Sequence, residues 1–220
     1  MAQTDGPGGT VSRRDFFKTV GATSLATGVL GAAEAEAQTA GPTAVGPGET
    51  PVRLLVNGRV HNLNIEPRVT LLDAVRMRVG MTGSKRVCDR GTCGACTMIV
   101  DGRTVYSCST LAIETQGKQV RTVDGLGTST TLHPVQEAFC ATDGMMCGFC
   151  TPGFVVATVA LLEKFPHPTE AQARRELDGN VCRCGTFNRV LEAAMLAGRP
   201  QAVASNGTLG EIVESEVNRG

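Results

Sequence analysis

The chain has 220 residues, with 21 basic and 21 acidic side chains, no tryptophan and 27 glycines. This length allows one or two domains, and the balanced charge gives no reason to expect nucleic acid as a partner. Because large aromatic side chains are few, the core must be thin, so bound metal would help to stabilise two small domains.

Residues 1–37 have the pattern of a twin-arginine export signal. The run RRDFFK begins at Arg13, a Gly/Ala/Thr-rich apolar stretch follows, and Ala-Glu-Ala ending at Ala37 is a candidate cleavage site. The apolar stretch is shorter and less hydrophobic than the about 20 residues that span a bilayer. We therefore expect removal of this segment, a periplasmic mature protein and no stable membrane anchor.

The next segment, residues 38–50, is a Gly/Pro/Thr-rich linker without periodicity. Alternating apolar residues then predict two strands, Val52–Val56 and Arg59–Ile65, joined by an Asn-Gly turn. Thr70 begins a capping-box pattern for a helix that ends at Gly80. The first domain therefore starts as strand, strand and helix.

A glycine-rich loop that contains three cysteines follows this helix, and a second hairpin comes after the loop. Thr97–Val100 and Arg103–Cys108 flank an Asp-Gly turn, and Val120–Val123 is a candidate last strand. Strands around one helix, with the cysteine loop after the helix, predict a small mixed sheet of the β-grasp kind over residues 51–126.

Helical periodicity replaces the strand pattern in residues 132–198, after a Gly/Ser/Thr-rich linker. Helix-start patterns occur at His133-Pro134, at Thr151-Pro152, at Thr169 with Gln172, and at Thr186. Four helices in so short a stretch predict a compact bundle. The tail, residues 199–220, contains no strong pattern, and we expect it to be disordered or to lie along a partner.

Nine cysteines are present, and eight of them form two groups of four. The first group is Cys88, Cys93, Cys96 and Cys108, and the second is Cys147, Cys150, Cys182 and Cys184. The first group follows C-x4-C-x2-C with a fourth cysteine after a hairpin, which is the ligand order of a plant-type [2Fe–2S] ferredoxin. The second group reads C-x2-C and, after a long gap, C-x-C. These patterns predict two iron–sulfur clusters in series, and therefore a path for electrons.

Each pair of the second group stands just before a predicted helix. A cluster bound by four thiolates carries net negative charge, and helix N-termini offer free amides and partial positive charge. Export by the twin-arginine route also suits cofactor sites, because this route moves folded proteins, whereas thiols in a periplasm are normally oxidised to disulfides. Spacing, helix position and export signal therefore favour the same interpretation.

Other interpretations of the cysteines stay open on these patterns alone. Structural zinc usually uses two short knuckles, which neither group has; adjacent cysteines are poorly placed for disulfides; and no βαβ pattern surrounds Cys147 for a thioredoxin-like pair. Cys140 falls outside both spacings, so we expect a buried free thiol that behaves as a small hydrophobe. His61, His133 and His167 lie in no catalytic or metal-binding pattern, and we expect surface or turn positions.

The cysteine motifs are similar to those of a known family. VCDRGTCGACT from Val87, CGFCTPG from Cys147 and NVCRCGT from Asn180 resemble the small iron–sulfur subunit of the molybdenum hydroxylases, the xanthine oxidase family, and most of all that of periplasmic aldehyde oxidoreductases. The similarity spans about Val52 to Ala197. It implies an α+β chain, in which a β-grasp plant-type ferredoxin-like domain is followed by an all-α four-helix [2Fe–2S]-binding domain.

The resemblance implies an electron-transfer subunit without substrate chemistry of its own. A large subunit would hold molybdopterin and oxidise an aldehyde or heterocycle, and an FAD subunit or a cytochrome-type acceptor would take the electrons. Cys184 would lie closest to the pterin. The family commonly has Gln at the pterin-contacting position of Met146 and Gly at the position of Val87, so this chain lacks the Gln contact. The alternatives are a free-standing electron carrier and a zinc-stapled interaction module.

Overall fold

The computed structural model describes residues 45–128 and 130–199. The predicted export signal, most of the linker predicted after it and nearly all of the predicted tail lie outside the described residues. Within the part that is described, residues 45 to 199 belong to one compact unit.

A single mixed sheet forms the first half of the described chain. Its strands are β1 (Thr50–Val56), β2 (Arg59–Ile65), β3 (Thr97–Val100), β4 (Arg103–Tyr106) and β5 (Gln119–Arg121). The strand order is β2-β1-β5-β3-β4, and β1 lies antiparallel to β2 but parallel to β5. The predicted mixed sheet of the β-grasp kind is therefore confirmed.

Both predicted hairpins are present, because their turn residues adopt the left-handed conformation that a tight two-residue turn requires. Asn57 and Gly58 have φ values of 48° and 77°, and Asp101 and Gly102 have φ values of 46° and 78°. The first turn brings Val56 opposite Arg59, and the second brings Val100 opposite Arg103.

Helix α1 follows the first hairpin and packs its apolar residues into the core of the sheet. It begins as one α-helical turn, Leu71–Asp73, and continues as a π-helix, Ala74–Val79. The hydroxyl of Thr70 accepts a hydrogen bond from the amide of Asp73 at 3.1 Å, which confirms the N-cap half of the predicted capping box. The carboxylate of Asp73 pairs with Arg86. The helix ends at Gly80, whose φ of 85° breaks the right-handed path.

The last strand ends earlier than predicted. β5 stops at Arg121 and a 3₁₀ turn, Val123–Gly125, follows, whereas the sequence favoured a strand through Val123. The side chain of Asn57 explains the difference. Its Oδ1 accepts a hydrogen bond from the amide of Thr122 at 2.8 Å, and its Nδ2 donates a hydrogen bond to the Thr122 hydroxyl at 2.9 Å. This side chain therefore replaces the neighbouring strand as the hydrogen-bond partner of Thr122.

The second half of the described chain contains four helices, as predicted. They are α2 (Pro134–Ala141), α3 (Thr151–Lys164), α4 (Glu170–Leu177) and α5 (Phe187–Ala197). Thr169 and Gln172 form the predicted capping box of α4. His133 caps α2, because its Nδ1 accepts the amide of Val135 at 3.2 Å, and half-burial lowers the pKa of this imidazole. The N-cap of α3 is Cys150, one residue before the predicted Thr151.

The two halves share a hydrophobic boundary at β3, whose four residues are all buried. Met98 and Val100 belong to the core of the sheet, whereas Ile99 points to the opposite face and packs among helical residues such as Phe154. Alternation along a strand produces this double burial. Within the described residues, none of the helices combines the length and the apolar character that spanning a bilayer needs.

The prediction that Cys140 is buried is wrong. Cys140 is exposed, because the core-facing positions of α2 are Val135, Ala138 and Phe139, and the next residue turns away from the core by the helical period.

Candidate metal centres

The first four cysteines converge at one end of the sheet. Cys88, Cys93 and Cys96 lie on the loop between α1 and β3, and Cys108 follows β4. The thiols of Cys88 and Cys93 lie close enough to interact, and so do those of Cys96 and Cys108. Cys96 and Cys108 are buried, whereas Cys88 and Cys93 are partly exposed. The group thus consists of an inner and an outer pair.

Backbone amides of the loop point at these sulfurs. The amide of Gly91 donates to Cys108 Sγ at 3.2 Å, and the amide of Thr92 donates to Cys88 Sγ at 3.5 Å. Gly91 has a φ of 69°, and a Cβ at this position would lie 2.7 Å from the hydroxyl oxygen of Ser109. A glycine is therefore required where the backbone wraps closely around the thiols. Converging amides of this kind favour bound anions such as thiolates.

The two pairs of the first group differ in acidity. The hydrogen bond from the side chain of Thr92 lowers the pKa of the Cys88 thiol to about 5, whereas burial raises the pKa of the Cys96 thiol to about 11. The outer sulfur is thus ready to act as a thiolate. The inner sulfur needs a nearby positive charge before it ionises, and a bound metal supplies one.

The second four cysteines meet where two helices begin. Cys147 and Cys150 precede α3, and Cys182 and Cys184 precede α5. The sulfurs of Cys147 and Cys184 lie 3.4 Å apart, and the thiols of Cys150 and Cys182 are also in contact. The first of these pairs is exposed and the second is partly buried. An inner and an outer pair are again present.

Thr186 stands at the N-cap of α5 but directs its hydroxyl to sulfur. Its Oγ1 lies 3.0 Å from Cys182 Sγ, and among the described residues its side chain does not bond the start of its own helix. Burial opposes ionisation of Cys182, yet the hydrogen bonds from the Thr186 hydroxyl and amide outweigh it and lower the pKa of the thiol to about 7. Burial raises the pKa of the Cys150 thiol to about 12.

The outer pair of the second group shares one hydrogen bond. Cys184 Sγ donates to Cys147 Sγ. The hydrogen bond from the backbone amide of Phe149 lowers the pKa of the Cys147 thiol, and the bond to Cys147 raises the pKa of the Cys184 thiol. A [2Fe–2S] cluster takes four cysteine ligands, two for each iron, which matches a tetrad made of two pairs. No three described His, Cys, Asp or Glu side chains are grouped to hold one ion.

Direct hydrogen bonds join the two cysteine loops, a feature that the sequence analysis did not predict. The amide of Val181 donates to the carbonyl of Cys93 at 3.0 Å, and Asn180 Nδ2 donates to the carbonyl of Gly94 at 2.9 Å. A Cβ on Gly153, in the first turn of α3, would lie 2.2 Å from the same Gly94 oxygen. The residue before Cys182 is therefore bonded to Cys93 itself.

Two large apolar side chains near the cysteines of the second group are exposed. Met146, which precedes Cys147, is 70% exposed, and Phe149, which precedes Cys150, is 55% exposed. Val87, which precedes the first ligand candidate, is 51% exposed. Exposed apolar groups of this size beside thiols are typical of surfaces that contact another protein.

Two sequence families match the chain. The 2Fe-2S iron-sulfur cluster binding domain matches residues 54–127, and the [2Fe-2S] binding domain matches residues 122–195. Together with the paired thiols, these matches define the class of this protein, which is a two-domain carrier of two [2Fe–2S] clusters. They agree with the clusters predicted from the cysteine spacing.

Similar proteins of known name identify the family within this class. The chain is 38% identical over 202 residues to the aldehyde oxidoreductase iron-sulfur-binding subunit PaoA of Escherichia coli, covering 83% of this chain and 86% of that protein. It is 42% identical over 140 residues to the nicotine 6-hydroxylase small subunit of Paenarthrobacter nicotinovorans, covering 64% of this chain and 84% of that protein. The chain belongs to the family of iron–sulfur subunits of the molybdenum hydroxylases.

Solved structures show the same fold. Quinoline 2-oxidoreductase from Pseudomonas putida matches with a TM-score of 0.65 and 31% identity, over 76% of this chain and 97% of that chain. Aldehyde oxidoreductase from Desulfovibrio desulfuricans matches with a TM-score of 0.68 and 33% identity, over 71% of this chain and 18% of that chain. The chain is thus an electron-transfer subunit of an oxidoreductase complex that has a large molybdopterin-binding subunit.

Proposed function

We propose that this chain is the exported iron–sulfur subunit of an aldehyde-oxidising molybdenum hydroxylase. The observation that carries the proposal is the pairing of eight thiols into two tetrads whose loops are hydrogen-bonded to each other. The similarity to an aldehyde oxidoreductase subunit supports an aldehyde as the substrate class. Each cluster would carry one electron at a time, and the residues of this chain would hold the clusters in place.

The eight ligands fall into one tetrad for each half of the described chain. Cys88, Cys93, Cys96 and Cys108 hold the first cluster, and Cys147, Cys150, Cys182 and Cys184 hold the second. The amides of Gly91 and Thr92 and the hydroxyl of Thr186 stabilise the negative charge on the sulfurs. Residues 51–126 and 132–198 are the corresponding domains.

The exposed pair Cys147 and Cys184 marks the side on which electrons enter. Met146 and Phe149 cover this side with apolar surface, which suits contact with the large molybdopterin-binding subunit. Cys184 lies closest to the pterin in this arrangement. Met146 contributes packing and not a hydrogen bond, because its thioether is at most a weak acceptor.

Electrons leave on the side of Cys88. Cys88 and Cys93 are the partly exposed pair of the first tetrad, and Cys88 follows the exposed Val87, so the acceptor reaches the first cluster on this side. Val87 offers an apolar contact. Arg86 is ion-paired with Asp73 and Asp89, so the remaining basic side chains of this loop are those of Lys85 and Arg90. The acceptor that docks here is an FAD subunit or a cytochrome-type protein, with acidic groups facing the basic loop.

The ligand assignment is tested by Cys150→Ser in the full complex. Only the EPR signal of the second cluster should disappear, and about half of the iron and acid-labile sulfide should be lost. Cys140→Ser is the matched control, because Cys140 is exposed and lies outside both tetrads, and it should keep both signals. Retention of both signals in Cys150→Ser refutes the assignment.

The mature protein works in the periplasm, which it reaches by the twin-arginine route. The RRDFFK run at Arg13 supports this part of the proposal. Replacing Arg13 and Arg14 by Lys should keep this chain, loaded with iron, in the cytoplasm. Replacing Arg53 and Arg59 by Lys, in the first hairpin, is the control that should leave export unchanged. Undisturbed export of the first variant contradicts the proposed route.

A further inference from the structure

Tyr106 is the single tyrosine of the chain, and it lies between the two cysteine loops. It ends β4, two residues before Cys108. Its phenol hydroxyl donates a hydrogen bond of 2.7 Å to the carbonyl of Gly179, which lies three residues before Cys182. One rigid side chain therefore connects the strand that carries a first-tetrad cysteine to the segment that carries a second-tetrad cysteine.

The backbone of Tyr106 is fixed on the side of the first tetrad. Its carbonyl accepts the amide of Ser109 at 3.0 Å and the hydroxyl of Thr110 at 3.1 Å, which closes the turn that contains Cys108. Its ring lies against the cysteine loop, since a Cβ on Gly91 would be 3.9 Å from Tyr106 Cδ2. The phenol is thus held by the same elements that hold the first four thiols.

Gly179, the hydrogen-bond partner of the phenol, leaves the space that the phenol hydroxyl occupies. A Cβ on Gly179 would lie 2.4 Å from the Tyr106 hydroxyl oxygen, so a side chain there would displace the ring. Gly179, Asn180 and Val181 all form hydrogen bonds to the first half of the chain. The partner of Gly179 is Tyr106, the partners of Asn180 are Gly94 and Thr97, and the partner of Val181 is Cys93. Tyr106 supplies the bond at the start of this segment, and the segment leads directly into Cys182.

We propose that Tyr106 is a positioning residue for electron transfer between the clusters, acting by holding the Gly179–Cys182 segment at a fixed distance from the first tetrad. The proposal rests on the ligand assignment given above. Electron tunnelling slows steeply as the distance between carriers grows. A side chain that fixes this distance therefore controls the rate without touching either substrate or cluster, as supporting residues do elsewhere.

The test is Tyr106→Phe in the assembled complex, with EPR of the doubly reduced protein and rapid-freeze kinetics of cluster reduction. The magnetic coupling between the two clusters should weaken, and aldehyde-driven reduction of the first cluster should slow by about two-fold to ten-fold. This loss is smaller than the about 10²-fold that a misplacement of about 1 Å can cost a positioned reaction. Gly179→Ala, which pushes a methyl group against the phenol, should give the same change and serves if the first variant folds poorly.

Arg121→Gln is the matched control. Arg121 and Glu163 form a two-bond ion pair, at 2.5 and 2.6 Å, between β5 and α3. Glu163 lies 12 residues beyond Thr151, about 18 Å along the helix from the cysteines. This variant loosens the same two halves far from the clusters, and it should leave coupling and rate unchanged.

Three results would decide against the proposal or its foundation. Wild-type coupling and rate in Tyr106→Phe overturn the role of Tyr106. An equal change in Arg121→Gln overturns it too, because the effect would then reflect general loosening of the two halves. Absence of one of the two EPR signals in the wild-type complex would instead refute the ligand assignment.

Discussion

Different secondary structure elements hold the four thiols of each tetrad together. The first is held by a glycine-rich loop beside a sheet, and amides of that loop, such as that of Thr92, bond the sulfurs. The second is held where helices α3 and α5 begin, and a hydroxyl, that of Thr186, bonds a sulfur. In both, one pair of thiols lies deeper than the other. The two tetrads therefore share hydrogen-bond donors to sulfur and one deeper pair of thiols, although different secondary structure elements hold them.

The two tetrads differ in the exposure of their outer pairs. Cys88 and Cys93 are partly exposed, whereas Cys147 and Cys184 are exposed. The two tetrads meet at a third place, the hydrogen bond from Val181 to Cys93. In the proposed function, the exposed pair faces the large subunit and the partly exposed pair, Cys88 and Cys93, faces the acceptor, so electrons pass through both clusters in turn.

The largest effect should come from filling the space between the tetrads. In Gly153→Ala the new methyl group would overlap a backbone oxygen, that of Gly94, which cannot move as a side chain can. We expect a loss of about 1–3 kcal/mol in the free energy of unfolding, measured by thermal unfolding of the iron-loaded protein. Gly48→Ala is the control, because no described atom lies within 4 Å of its Cβ, and its effect should stay within about 0.5 kcal/mol. A neutral Gly153→Ala would contradict the close contact.

A smaller effect should change the reduction potential of the second cluster and leave that of the first unchanged. Thr186→Val removes the hydroxyl at Cys182 but keeps the shape of the side chain. Since a hydrogen bond to sulfur stabilises the more negative, reduced cluster, the reduction potential of the second cluster should fall by about 20–60 mV. EPR-monitored titration checks this value, and the first cluster should not move. Thr186→Ser keeps the hydroxyl, so the second cluster of this variant should have the wild-type potential. A lowered potential in Thr186→Ser would show that the hydroxyl does not set the potential.

The smallest effect concerns the ion pair between the halves. The hydrogen bond from Arg121, together with its positive charge, lowers the pKa of Glu163. A carboxylate with a depressed pKa stabilises the fold above its unfolded pKa, and this contribution is lost as the pH falls through the lower folded value. Because both side chains are partly exposed, we expect no more than about 1 kcal/mol. Unfolding of Arg121→Gln and wild type should therefore converge in acid, and a constant difference between them would contradict the pair.

Local patterns predicted the parts of the fold that depend on neighbouring residues. The Asn-Gly and Asp-Gly dipeptides force left-handed turns, so both hairpins were predictable, and Thr169 with Gln172 marked a helix start. The cysteine spacing likewise predicted which thiols group together. These features require only residues that are close in sequence, or spacings that iron–sulfur ligands share.

Contacts between distant residues could not be predicted in this way. Asn180 bonds Gly94 across 86 positions, and no local pattern marks either residue as the other's partner. The early end of β5 has the same cause, because Asn57 reaches Thr122 from the first hairpin. Cys140 is different, since the helical spacing of Val135, Ala138 and Phe139 already indicated that position 140 faces away from the core.

In the proposed function, electrons pass through the second cluster before they reach the first. The direct measurement uses Cys150→Ser in the assembled complex, with rapid-freeze EPR of the first cluster after addition of either an aldehyde or dithionite. We predict that aldehyde leaves the first cluster oxidised while dithionite still reduces it. Reduction of the first cluster by aldehyde at the wild-type rate would contradict the claim.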